Sequence, residues 1–141
     1  GFSPQKCPQV WSVEFLSTVT QKLNPQGYLI TYSCSAAIRR TLKVFGLTIF
    51  NIKPNLVSKN LWSNGTIAVK IIDKKAIQNN LYFKNLASME EEHLLTKASI
   101  PYRDPTLSLN KKDIIQKRVQ EQFLSNLETS KKWRDKWGMT K

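Results

Sequence analysis

The chain has 141 residues, 40% of them hydrophobic, and carries 22 basic against ten acidic side chains, a net charge of +12. That length favours one compact domain able to fold without staples, and no run of about 18 apolar residues is present to span a membrane. Residues 1–60 hold seven basic residues and a single acidic one, Glu14, so the surface suits a polyanion such as RNA, DNA or acidic headgroups.

The chain opens GFSPQKCPQVW, a loop with neither an initiator methionine nor a charged and apolar leader. Cys7 and Cys34, the only cysteines, match no zinc spacing and fit a reducing, cytoplasmic setting better than a disulfide scaffold. Pro8 suits a first helical turn. Trp11, Phe15, Val19 and Leu23, with Leu16 beside them, recur as one apolar helical face, and Asn24-Pro25-Gln26-Gly27 ends it. Residues 28–32 predict a short buried strand. Ser33, Cys34 and Ser35 offer cap groups to a helix over residues 36–45, and Gly46 stands where a left-handed residue closes it. Residues 47–52 form the next strand. A polar insertion follows, then a tight turn at Asn64-Gly65-Thr66 and a strand over residues 66–72. The strand–helix–strand reads as a parallel crossover, and the last two strands as an antiparallel pair.

Residues 1–73 thus form an α/β unit, and residues 74–141 read as a linker, an ordered loop and a helical basic extension packed on it. Residues 74–80 are a polar connection. Glu90, Glu91 and Glu92 form the one acidic cluster. Residues 100–105, Ile-Pro-Tyr-Arg-Asp-Pro, read as an ordered loop. Asn110 caps a helix with Asp113 three residues on, its apolar stripe being Ile115, Val119, Phe123 and Leu127. Residues 131–137 alternate cations with indoles.

His93 is the only histidine, which leaves no second one for a metal cluster or a Ser-His-Asp triad, and it reads as a surface helix residue. The three glutamates could include a general base, though a solvated helix face explains them as well or better. Arg39, Arg40 and Lys43 share a short helix with no acidic neighbour in sequence and could face phosphates. The tail suits stacking on bases, an interfacial membrane anchor, or indoles covering the core while the cations stay wet. The glycines at 1, 27, 46, 65 and 138 stand apart, so the clustered-glycine loop of a nucleotide-binding sheet is absent from these residues.

In order, Gly1-Phe2-Ser3-Pro4, then Lys6, Pro8 and Trp11, Gly27, the strand ending Thr31-Tyr32-Ser33, Arg39-Arg40 before Leu42, and Gly46 resemble the methyltransferases of the tRNA 5-methylaminomethyl-2-thiouridine pathway over about residues 1–72. Residues 89–105 also look like the downstream region of bacterial members. The resemblance implies the C-terminal half of a Rossmann-like class I S-adenosylmethionine-dependent sheet (β-α-β-β) plus a helical extension, with the last strand inserted antiparallel between the two before it. It implies methyl transfer to the aminomethyl nitrogen of a modified wobble uridine in tRNA, with S-adenosylmethionine as cofactor and no metal. By the same resemblance Phe2, Ser3 and Pro4 line the cofactor and amine pocket, and Tyr32 and Ser33 stand at its mouth. Lys6, Arg39, Arg40, Lys43 and Arg103 are the expected RNA phosphate contacts.

The family's glycine-rich loop, its ribose-binding acid and an aspartate before the Phe-Ser-Pro turn would lie upstream of Gly1. The chain is therefore expected to be a truncated portion, inactive alone, with its catalytic residue outside it. A non-catalytic basic RNA-binding module that keeps a methyltransferase-like half-sheet is the alternative. An exposed edge on the strand of residues 28–32 would favour a homodimer or a poorly soluble monomer.

Overall fold

The computed structural model describes residues 2–53, 65–70, 73–78 and 80–139. Pro8–Trp11 forms a 3-10 turn, and the Ser12 hydroxyl accepts the Phe15 N–H at 3.2 Å to start α1 (Val13–Gln21). The strands β1 (Tyr28–Thr31), β2 (Thr48–Ile52), β3 (Thr66–Val69) and β4 (Phe83–Lys84) lie in the order β1-β3-β2-β4, with every neighbouring pair antiparallel. Consequently β1 and β2 run parallel to each other, α2 (Ala36–Val44) is their crossover, and β3 enters antiparallel between them. Both the parallel crossover and the inserted last strand were expected. The two-residue β4 has no counterpart in the sequence reading. The rest of the chain supplies α3 (Lys74–Gln78), α4 (Ser88–His93), a 3-10 turn at Lys97–Ser99, α5 (Lys111–Leu124) and α6 (Ser130–Lys136). The polar insertion and Asn64, at the head of the expected turn, lie outside the described residues, as do positions 71–72 of the expected strand.

Alternation along the strands assigns the two faces. Ile49 and Ala68 join Leu16, Ala37, Ile38, Leu42, Tyr102 and Ile114 in one core under α1 and α2. Phe50, Ile67, Val69 and Phe83 form a smaller cluster on the other face, with Ile77 of α3 against it. The second face is only partly covered. Tyr28, Ile30 and Tyr32, expected to be buried, are 47%, 64% and 60% exposed because β1 is an edge strand on that side. Gly65 is required where it stands. A Cβ there would lie 2.3 Å from the Thr31 carbonyl oxygen, at φ +152°.

The expected stripe of α1 is buried in part, with Leu16 in the core and Trp11 and Leu23 against it, and that of α5 faces largely outward. In α1 the buried residues are Leu16 and Thr20, while Phe15 and Val19 are exposed. In α5 only Ile114 is fully buried, and Val119, Phe123 and Leu127 face outward. Polar side chains occupy the packed side of α5 because they have backbone acceptors there. Arg118 donates to the carbonyls of Ile100 and Ala98, and Gln122 to that of Lys97. Residues 74–80, expected as a connection, contain α3, whose first turn Asp73 caps through Oδ1.

A buried cation ties these layers together. Arg39, 3% exposed, donates from Nε to Thr66 Oγ1 at 2.8 Å and from Nη2 to Asn51 Oδ1 at 2.6 Å, reaches the Gly65 carbonyl at 3.3 Å, and pairs with Glu90 at 3.3 Å. Glu90 also accepts from Asn51 Nδ2 and from the Ala87 N–H that opens α4. Removing one partner of a buried pair strands the other charge. Glu90→Ala should therefore lower unfolding stability by on the order of 3 kcal/mol in a urea titration. The double replacement Arg39→Met with Glu90→Leu should be less destabilised than the single one.

Candidate functional site

Ligands of open α/β sheets sit beyond the carboxyl ends of the parallel strands. Here β1 ends at Thr31 and α2 begins at Ala36, and a cavity of about 430 Å³ opens beside that junction. Ser3, Pro4 and Gln5 form one wall, Ser35 and Ala36 another, and His93, Ala98, Tyr102, Arg118, Gln122 and Ser130 the rest. A second cavity of about 310 Å³ shares Ala36 and His93 and is closed by Cys34, Arg39, Glu90 and Trp133.

The Ser3-Pro4 turn is set by its own backbone. The Ser3 carbonyl accepts the N–H groups of Lys6 and Cys7 at 2.9 Å, and Trp11 Nε1 donates to the Phe2 carbonyl at 2.6 Å. Trp11 then meets Tyr32 edge to face, with ring centroids 6.1 Å apart. The opposite wall is the loop of residues 100–105. Val13 N–H bonds the Tyr102 carbonyl at 2.9 Å. Buried Asp104 accepts the N–H groups of Ser108 and Leu109, and Glu14 accepts that of Asp104.

Ser3 and Pro4 thus line the cavity, whereas the Phe2 side chain is 68% exposed and belongs to neither lining. Tyr32 is exposed beside Trp11. Ser33 needs correction as a pocket residue: it is buried, its Oγ accepts the Ser35 N–H, and its carbonyl accepts from Thr66. Arg39 needs correction as a phosphate contact, because its guanidinium is spent inside the sheet–helix junction. The helix of Arg39 also has acidic neighbours in space, with Lys43 pairing Glu91 at 3.0 Å. The glutamates are therefore a face that is solvated at Glu91 yet engaged by cations along its length. Glu90 is in the Arg39 junction, and Glu92 accepts from Lys136 and, at 2.8 Å, from Trp137 Nε1. Lys6 and Arg40 are exposed. Arg103 makes a two-pronged pair with Glu121 at 2.9 Å, and with Arg40 it borders a third cavity, about 250 Å³, over Val44, Phe45 and Leu127.

His93 is no simple surface residue. Its ring stacks on buried Trp133, centroids 3.9 Å apart, and Trp133 Nε1 donates to the Met89 carbonyl at 3.0 Å. The tail therefore docks on α4. Trp133 covers the core, as the third reading had it, but Trp137 is exposed and Lys136 is paired with Glu92, as that reading did not have it. Arg118 and Gln122 are cavity residues without a sequence signal, since burial through backbone carbonyls leaves no periodic mark.

The fit to S-adenosylmethionine is partial. The cavity lining contains no glycine and no carboxylate, so this lining offers nothing to approach an adenosyl backbone or hold a ribose diol. Only the Ser3-Pro4 wall suits the cofactor's reactive end. Among the described residues no group of three or more His, Cys, Asp or Glu side chains stands together for a metal, and no helix is long and apolar enough to cross a membrane.

The α4–α6 contact is pH-sensitive. Burial first, then the charges of Arg39 and Arg134, hold His93 below its usual pKa. The hydrogen bond from Lys136 first, then that from Trp137, holds Glu92 below the usual carboxylate range. Both groups bind protons less readily folded than unfolded, so the stability they confer is present at neutral pH and declines on acidification. The His93 part is lost first, below about pH 6.5, and the Glu92 part below about pH 4.3. Tryptophan emission should shift red in two steps on acid titration, and His93→Gln should abolish the first only.

Residues 1–66 match the model of a family described as S-adenosyl-L-methionine-dependent methyltransferases. A protein of Methanocaldococcus jannaschii described as uncharacterized is 30% identical over 122 residues, covering 85% of this chain and 31% of that protein. The crystal structure of MNMC2 from Aquifex aeolicus superposes with a TM-score of 0.68 at 22% identity, over 87% of this chain and 36% of that one. The chain thus spans about a third of the length of these relatives. Residues 1–66 thus match the S-adenosyl-L-methionine-dependent methyltransferase family in sequence, and most of the chain shares the fold of part of the MNMC2 structure.

Proposed function

We infer that this chain is the acceptor-binding portion of a tRNA methyltransferase that methylates the aminomethyl nitrogen of a modified wobble uridine. The observation that carries this is the polar, carboxylate-free cavity at the end of β1, walled by the same Ser3-Pro4 turn on which the family resemblance rests. S-adenosylmethionine supplies the methyl group in this family. The part played by these residues is to seat the acceptor. Ser3 and Pro4 hold the amine near the cofactor, Tyr32 flanks the entrance, and Lys6 and Arg40 contact tRNA phosphates, joined by Lys43 and Arg103 once these leave their exposed pairs with Glu91 and Glu121. Direct attack by nitrogen calls for a neutral amine held about 3–3.5 Å from the methyl carbon, and for no protein nucleophile. Exposed Cys34 and half-buried Cys7 are consistent with that.

With no glycine-rich loop in its sequence, this polypeptide binds tRNA but does not turn over by itself. The test is to incubate it with methyl-labelled S-adenosylmethionine and tRNA bearing aminomethyl uridine, and to measure affinity for that anticodon stem-loop and for its unmodified counterpart. No label transfer and several-fold tighter binding of the aminomethyl form are expected. Equal affinity would favour a non-catalytic RNA-binding module, and label transfer would overturn the inactivity.

The free β1 edge, with Tyr28, Ile30 and Tyr32 exposed, is suited to pairing with a second copy. Light scattering should give the mass of a dimer, and Ile30→Lys should return it to a monomer.

A further inference from the structure

Arg118 is the most rigidly held cation that reaches the cavity. Its Nε donates to the Ile100 carbonyl at 2.7 Å and its Nη2 to the Ala98 carbonyl at 3.0 Å. Its Cζ lies 4.5 Å from the centre of the buried Tyr102 ring. One turn on, Gln122 donates to the Lys97 carbonyl at 2.9 Å and braces the same backbone. Two neutral carbonyls fix the guanidinium without cancelling its charge, and Nη1 has no partner among the described residues. Burial lowers the Arg118 pKa, but a guanidinium stays protonated in proteins. Glu121, the carboxylate whose charge acts on Arg118, is engaged by Arg103. The other polar cavity residues, Ser3, Gln5, Ser35 and Ser130 among them, are neutral groups that can donate to an anion.

A preorganised, partly desolvated guanidinium among neutral donors is a phosphate site. We propose that Arg118 anchors a backbone phosphate of the RNA next to the methylated nucleotide, so that the base enters between the Ser3-Pro4 turn and the start of α2. This rests on the acceptor-binding reading above. The cofactor's own carboxylate is the weaker candidate, because Arg118 belongs to the helical extension and lies outside residues 1–66, where the methyltransferase family match falls. Arg118 is a positioning residue here: it holds the substrate's phosphate and takes no part in the transfer itself.

The test uses the unaltered protein and an anticodon stem-loop RNA carrying aminomethyl uridine, with the phosphates on either side of that uridine replaced singly by neutral methylphosphonates. Affinity is read by fluorescence anisotropy over a range of salt. One of the two replacements should weaken binding about tenfold, as expected for loss of a charge-assisted hydrogen bond, and should reduce the salt slope by about one. Arg118→Gln should weaken the unmodified-backbone RNA equally and be insensitive to that replacement, and Arg118→Lys should fall between. Indifference of the unaltered protein to both replacements would overturn the proposal, as would losses that simply add in Arg118→Gln. Should Arg118→Gln fail to fold in a thermal melt, the methylphosphonate series on the unaltered protein decides alone. Competition by S-adenosylmethionine for the Arg118-dependent part of binding would assign the guanidinium to the cofactor and overturn it too. Loss of preference for the aminomethyl uridine with the phosphate effect intact would instead count against the acceptor reading.

Discussion

The Arg39 guanidinium is the constraint on which the rest of the architecture hangs. A single buried cation from α2 holds Thr66 at the start of β3, Asn51 near the end of β2, and Glu90 on α4. Without it the end of β2, the start of β3 and the first turn of α4 would have no common point. A buried ion pair is weak evidence of net stability, since desolvation offsets much of the attraction. What it supplies here is position. The fork geometry of arginine satisfies partners in several directions at once, and this fixes how α4 docks. That orientation places His93 against Trp133 and Glu92 within reach of Lys136 and Trp137. The fit of α6 is thus inherited from a contact made in the α/β unit.

The same economy governs how a chain of +12 distributes its charge. The ten acidic residues are few, and several are committed to structure. Glu90, Glu91, Glu92 and Glu121 pair with Arg39, Lys43, Lys136 and Arg103, while Glu14 and Asp104 accept backbone N–H groups in the loop that walls the cavity. Carboxylates used this way neutralise cations at the junctions between elements and leave the lining of the large cavity without a negative side chain. The positive charge of Arg118 is then not cancelled by a carboxylate of that lining, whereas salt screens the exposed charges of the outer surface.

Local signals read well in the sequence. The turn at residues 24–27, the Gly46 cap with φ +86° and the Asn110 cap bonding the Asp113 N–H were all legible, because each depends on a few adjacent atoms. The inserted antiparallel strand was legible through the family resemblance and not through periodicity. The face of α1 was misread in part and that of α5 in large part, for one reason. Hydrophobic spacing locates a buried face only when apolar residues are what is buried, and here Thr20, Arg118 and Gln122 take the packed side by bonding backbone carbonyls. Arg39 was misread likewise, since its acidic partner lies 51 residues away. The cavity shares this origin. It forms where distant polar groups converge, and only its Ser3-Pro4 wall had a sequence mark.

That origin divides the walls of the cavity between two parts of the chain. The sheet and the Ser3-Pro4 turn come from the segment that matches the methyltransferase family, and the opposite walls come from residues 93–130. The second set is held by side-chain bonds to backbone carbonyls. It therefore depends on the conformation of the loop at residues 97–102 and tolerates change in the side chains of that loop. Arginine and glutamine on α5 act as rigid struts between that loop and the helix, so the width of the cavity is set by α5 and by the contact of Tyr102 with Val13. A substitution in α5 that preserves Ile114 in the core yet shortens Arg118 would leave the sheet intact and alter only that wall of the cavity.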